Sequence, residues 1–283
     1  MIELAENRYG KSAIRVVKVI REGDRHRVRD LTVSVALEGD FEAAHTVGDN
    51  SQVIATDTMK NTVYAFAADR LTGSIEDFGL ALATAFAQPQ VTRTQVDIDE
   101  HQWLPIEREE GPARDAFVKI VAGLRTTRVV SGALESFVES GVRDLTVMKT
   151  AKSAFSGFPR DRYTTLPDTD DRILATKLDA VWRYVEGAGS ADYDSRFEAI
   201  RGTLLASFAE HESPSVQASI WIVGKAVLEA HPEIREIRMR LPNLHHWRFD
   251  LAPFGIDDEQ VVYVATTEPH GLIEATVRRG PAG

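Results

Sequence analysis

The chain has 283 residues, 43% hydrophobic and 27% charged, as in an ordinary soluble globular protein, and its length suits about two domains of ~150 residues. It holds no cysteine, which excludes a disulfide framework, a thiol nucleophile and a thiolate metal site and fits a reducing cytoplasm. The net charge of −10, without a clustered basic face, argues against nucleic-acid binding; no run of ~18 apolar residues could span a membrane, and Met1 to Arg8 is too acidic for a secretory signal.

In chain order, Ser12 to Arg21 is rich in Val and Ile, and Asp30 to Glu38 alternates Leu31, Val33, Val35 and Leu37 against Thr32, Ser34 and Ala36. These read as two strands joined by a turn at Glu22-Gly23-Asp24. Thr58 to Arg70 reads as a helix with Asp57 as its N-cap, and Ile75 to Ala87 as a second helix capped by Ser74, with Phe78, Leu82 and Phe86 at helical spacing. Strands are expected at Val91 to Ile98 and Ala113 to Leu124, then at Thr126 to Phe137 and Asp144 to Lys152.

After a polar loop, Thr176 to Val185 is strand-like. Asp194 to His211 is an amphipathic helix, with Phe197, Ile200, Leu204 and Phe208 at three- and four-residue steps. Ser213 and Pro214 supply an N-cap and an N1 proline for a helix from Pro214 to Ala230. Strands at Arg235 to Leu241, His246 to Leu251, Gln260 to Thr266 and Ile273 to Arg278 close the chain. The order, strands, two helices, strands, occurs twice. Gly187-Ala188-Gly189-Ser190 lacks the third glycine and the strand-to-helix setting of a dinucleotide loop and reads as a linker. The eight histidines lack metal-ligand spacing, and the adjacent His245 and His246 cannot both face one site on a strand, so no metal is expected.

The polar loop, Phe155 to Thr176, mixes aromatic, guanidinium and hydroxyl groups that no hydrophobic period explains. Aromatic-Gly-aromatic-Pro turns packed by an arginine are common structural devices. The same composition suits a flat anionic heterocycle, with Phe155 stacking on a ring face and Arg172 offering a planar two-donor fork.

The motif Phe155-x-Gly157-Phe158-x-Arg160-Asp161-x-Tyr163-Thr164-Thr165-Leu166, followed by Asp171-Arg172-Ile173-Leu174, resembles the signature region of the urate oxidase (uricase) family. Further blocks follow the family's order: Tyr9-Gly10-Lys11, Asp40-Phe41, Ala55-Thr56-Asp57-Thr58 with Lys60 to Tyr64, Ser215-Val216-Gln217-Ala218, Leu241-Pro242-Asn243-x-His245, and Gly271-Leu272-Ile273 with Thr276-Val277. The stretch from about Gln88 to Ser140 carries none of these blocks. The resemblance implies an α+β fold of two tandem tunnelling-fold (T-fold) domains, taken as residues 1–137 and 138–283. It further implies antiparallel sheets with helices outside, and a homotetramer closing into a barrel with sites at subunit interfaces.

It also implies cofactor-independent oxidation of urate by dioxygen. Lys11 and Thr56 would form the catalytic dyad, with His245 in the proton relay; Lys11 should then be desolvated, since a lysine acts as a base near neutral pH only when burial or a neighbouring cation lowers its pKa. Arg172 and Gln217 would grip urate while Phe155 stacks on it, and Thr56, Asp57, Val216 and Asn243 would complete the binding set, Asn243 near dioxygen. Each residue also has a plainer reading: Lys11 as a solvated charge, Asp57 as a cap, Gln217 as a solvent-facing side chain, Asn243 and His245 as turn residues. Leu244 stands where the family often has lysine, and His246 beside His245 leaves the relay assignment to be tested. The ending Arg278 to Gly283 lacks a peroxisomal signal, so a bacterial, cytoplasmic form is expected. Two rivals are another T-fold enzyme acting on purines or pterins and an oligomeric binder that has lost the dyad.

Overall fold

A computed structural model describes residues 2–186, 192–257 and 261–280; the Gly187 to Ser190 linker reading and the start of the expected strand at Gln260 lie outside them. The chain divides into two compact units, one of residues 1–141 and 183–197, the other of residues 142–182 and 198–283.

In the first unit β1 (Tyr9–Glu22) and β2 (Arg25–Gly39) form a hairpin whose two-residue turn uses Gly23 at φ +65°. The alternation read in β2 is the burial pattern: Leu31, Val33, Val35 and Leu37 are sealed, while Thr32, Ser34 and Ala36 are partly open on the other face. A short helix α1 (Glu42–Thr46) precedes α2 (Thr56–Arg70) and α3 (Ile75–Ala85), which bring Met59, Val63, Phe78 and Leu82 onto the sealed face. Ser74 caps α3 as expected, accepting from the Asp77 N–H at 3.0 Å. Asp57 does not cap α2. The N-cap position is Ala55, which has no side-chain bond to give, and Asp57 lies inside the first turn paired with Lys60.

β3 (Val91–His101) pairs antiparallel with β2, and β6 (Leu124–Gly132) with β3. The strand expected over Ala113 to Leu124 is cut down to three residues. β4 (Trp103–Pro105) and β5 (Phe117–Lys119) make a small ribbon instead, the Ala113 N–H bonds Ile106 O at 2.8 Å, and Gly123 at φ +73° turns the chain before β6. The next strand breaks differently too: β6 stops at Gly132, and β7 (Phe137–Lys149) starts well before the expected Asp144.

β7, β8 (Leu174–Tyr184) and α4 (Tyr193–Glu210) continue past the dividing points of the chain. In the second unit α5 (Val216–Ala230) packs on β9 (Ile234–Leu244) and β12 (Gly271–Arg278), with β10 (His246–Arg248) and β11 (Tyr263–Ala265) as a separate two-stranded ribbon. The cap of α5 is Ser215, which accepts from the Ala218 N–H at 3.1 Å, and not Ser213, whose hydroxyl bonds Ser215 O and the Ser219 hydroxyl. Among the described residues no helix is long and apolar enough to cross a membrane.

The two helix-on-sheet contacts depend on matching glycines. A Cβ on Gly79 of α3 would lie 2.8 Å from Val129 Cγ2, and one on Gly224 of α5 would lie 2.6 Å from Val277 Cγ2 and 3.0 Å from Met239 Cε. Gly224→Ala gains up to about 1 kcal/mol of helix propensity but drives a methyl into a stiff β-branched neighbour at an overpacking cost of about 1–3 kcal/mol. A lower urea midpoint with unchanged slope is the expected result; an equal or higher midpoint would show that β9 and β12 repack freely.

Candidate active site

The loop is anchored at both ends. Ser153, fully buried, bridges Ser213 in parallel, with Ala154 N–H donating to Ser213 O at 2.7 Å and Ser213 N–H to Lys152 O at 2.9 Å. Phe155 and Thr169 then exchange both backbone bonds, at 2.8 and 3.0 Å, closing the intervening residues into a surface excursion.

Within it, Gly157 at φ +74° donates to Asp168 Oδ1 at 3.1 Å. Arg160 pairs with Asp168 at 3.1 Å, donates to Leu166 O at 3.2 Å and lies over the Phe158 ring at 5.0 Å. Asp161 accepts from Tyr163 N–H and the Thr164 hydroxyl, both at 2.9 Å, and the Tyr163 amide above all holds its carboxyl below the usual range. Arg160 and Asp161 therefore hold the loop's shape.

Arg172 is different. Its guanidinium carbon lies 5.4 Å from the centre of the Phe155 ring, and its Nε is buried without a hydrogen-bond partner. Burial alone pushes its pKa down. An arginine stays charged in that setting, so the unmatched donor calls for an external acceptor.

Arg172 and Phe155 border a cleft of about 620 Å³ together with Leu166, Thr169, Asn243, His245, His246, Trp247 and Tyr263. β9 carries Asn243, nearly buried and opposite Gly271 of β12, to the cleft. Burial first, then the charges of Arg172 and His270, push the His245 pKa down, so the neutral imidazole is favoured. Both adjacent histidines border the cleft, contrary to the strand argument. β9 ends at Leu244 and β10 begins at His246, so alternation is not enforced at the junction where His245 sits. Trp247 was not singled out from sequence, although its spacing of two from His245 was the available signal; its indole stacks on the His245 ring, centroids 5.1 Å apart and planes 20° apart.

At the start of α5, Val216 is buried and Gln217 is exposed, and Gln217 does not border this cleft. It follows closely on Ser213, which is bridged to the strand segment entering Phe155.

Lys11, Thr56 and Asp57 form a second group, in the first unit. Lys11 is half-buried on β1 opposite Val35. Thr56 is the first residue of α2. The Asp57 carboxyl is held below the usual range chiefly by its bond to Lys60, and Lys11 adds a smaller attraction, which places the two within electrostatic reach. Tyr9 and Gly10 explain the proximity: the Tyr9 hydroxyl accepts from Ile54 N–H at 2.9 Å, and a Cβ on Gly10 would meet Val35 O at 1.9 Å, so only glycine lets β1 lie this close. Among the described residues no group of three or more His, Asp or Glu is arranged to hold a metal ion.

Fold and cleft together define an α+β protein of antiparallel sheets with an anion-seeking aromatic pocket. The uricase family model matches residues 7–130 and 138–274. Uricase from Arthrobacter globiformis is 45% identical over 280 residues, spanning 98% of this chain and 90% of that protein, and uricase from Dictyostelium discoideum is 37% identical, spanning 99% and 98%. The crystal structure of uricase from Arthrobacter globiformis superposes with a TM-score of 0.93 at 44% identity, covering 100% of this chain and 97% of that one. The chain belongs to the uricase family and is a urate oxidase, an oxidoreductase. The stretch from Gln88 to Val130, which held none of the recognised blocks, is inside the family match, a correction to the apparent divergence up to Ser140.

The field at His245 can be tested without any reaction. In Arg172→Met the nearby cation is gone, so the imidazolium is less disfavoured and the His245 midpoint, read by NMR on histidine-labelled protein, should rise toward ~6.5. An unchanged midpoint would separate the two residues.

Proposed function

We propose that the chain oxidises urate with dioxygen and water to 5-hydroxyisourate and hydrogen peroxide, with no metal or organic cofactor. Two electrons leave urate and reduce dioxygen to peroxide; water then adds to the oxidised ring, and atoms and charge balance. Urate is an electron-rich anion, and loss of a further proton makes it a better donor, so the protein's task is to orient it, deprotonate it and cradle charge. Lys11 and Thr56 take the proton, and His245 passes it on. Arg172 and Gln217 grip the ring edge, Phe155 stacks on its face, and the Val216 backbone at the start of α5 adds donors. Asn243 and Thr56 hold dioxygen above the ring.

The observation that carries this reading is the sealed, unmatched Nε of Arg172 beside the Phe155 ring in a cleft wide enough for a bicyclic purine. The neutral bias at His245 suits a proton relay. The binding group and the dyad group lie in different units of the chain. We read the working enzyme as a homotetramer in which Lys11, Thr56 and the Asp57 backbone of one protomer complete the cleft of its neighbour. In this reading residues 1–137 and 138–283 act as tandem T-fold domains of a cytoplasmic enzyme.

Chelator-treated protein should bleach the near-ultraviolet band of urate and release peroxide in equal amount. Ligand turnover without peroxide would point to another T-fold activity, and binding without turnover to a bare receptor. Lys11→Met should keep urate affinity and lose turnover by ~100-fold or more; undiminished turnover would remove Lys11 from the mechanism.

A further inference from the structure

We infer that Trp247 is a positioning residue for His245, setting the plane in which the imidazole passes its proton. The inference rests on the relay role given to His245 above. A relay histidine is ordinarily oriented by a hydrogen bond from one ring nitrogen to a carboxylate or carbonyl, which fixes both tautomer and direction. His246 has such a bond, its Nδ1 lying 3.0 Å from Leu244 O. Neither ring nitrogen of His245 is hydrogen-bonded among the described residues; only its backbone is held, with Thr266 N–H donating to His245 O at 2.8 Å.

What fixes the ring is the indole face. The near-parallel stack at 5.1 Å leaves the imidazole free to slide or tip only by losing contact with Trp247. Trp247 in turn sits in the middle of β10, opposite Val264 of β11, so the two-stranded ribbon holds it from the side. Both ring nitrogens are thereby left open to a substrate, a water or the dyad, whereas an orienting hydrogen bond would occupy one of them. Asp168, Asp170, Asp171 and Arg248 also border the cleft, but the charges that act on His245 are those of Arg172 and His270, both of which oppose the imidazolium, while the indole face favours a cation.

The test compares Trp247→Leu, which keeps apolar bulk but has no flat face, with Trp247→Phe, which keeps a smaller one, each alone and in a His245→Gln background. Trp247 is 49% exposed, so both variants should fold, and thermal melting checks this. Trp247→Leu is expected to lower kcat by about 10-fold or more, as misplacement of a proton-transfer group does. Affinity for a non-oxidisable purinedione should stay within about 3-fold of wild type, since the grip on the ring lies elsewhere. Trp247→Phe should recover most of the rate, and Trp247→Leu should cost nothing further once His245 is Gln. Equal losses in both backgrounds, or weakened ligand binding with kcat intact, would overturn the inference and make Trp247 a wall of the cleft. Full turnover by His245→Gln alone would instead overturn the relay role itself.

Discussion

A charged donor held where water does not reach it and given no acceptor by its own chain is the constraint behind this structure. Arg172 meets that description: its Nε is sealed, its guanidinium lies against the Phe155 ring, and only burial shifts its pKa. Arg160 is matched by Asp168 and Leu166 O, and the two terminal nitrogens of Arg125 by Glu76 and Asp194, although the Arg125 Nε is buried without a partner too; Arg172 differs in having no carboxylate paired with it among the described residues. A charge left unmatched in this way is costly to the folded state and is kept where an anion repays it on binding. In a chain with a net charge of −10, such local capture is also what an anionic substrate needs to overcome long-range repulsion.

The surrounding elements keep that donor from collapsing onto a neighbour. The Phe155 and Thr169 bridge closes the loop, the Ser153 and Ser213 bridge ties it to the approach of α5, and the ion pair of Arg160 occupies Asp168. The loop bordering the cleft is thus preorganised by backbone bonds, as a site that must stabilise developing charge requires. The first unit follows the same logic with fewer parts: the Tyr9 hydroxyl ties β1 to the loop before α2, Gly10 lets β1 lie close against β2, and Lys11 stands within electrostatic reach of Asp57.

Much of the fold was legible because period and caps are local. The alternation of Leu31, Val33, Val35 and Leu37, the helical steps of α4 and the Ser74 cap all appear as read. Errors fell where a distant partner decides. Apolar spacing over Ala113 to Leu124 suggested a strand, but bonds to Ile106 and Gln102 and the turn at Gly123 make a short ribbon. Asp57 and Ser213 had cap chemistry, yet the helices began one residue earlier and three residues later respectively, which turns Asp57 to Lys60 and Ser213 to Ser219. In the loop, the sequence named Arg172 for the ligand; that Arg160 serves the loop itself depends on where Asp168 lies, and that comes from the structure. The part played by Trp247 was hidden for the same reason, because a stack depends on the strand break after Leu244.

The most direct measurement is a crystal structure with a non-oxidisable purinedione anion bound. The expected result is Arg172 Nε and a second guanidinium nitrogen at ~3 Å from the ligand's oxygen and nitrogen edge, the Phe155 ring parallel to the purine, and a Lys11 ammonium beside Thr56 at the open side. A ligand seated elsewhere, with Arg172 Nε still unmatched, would contradict it.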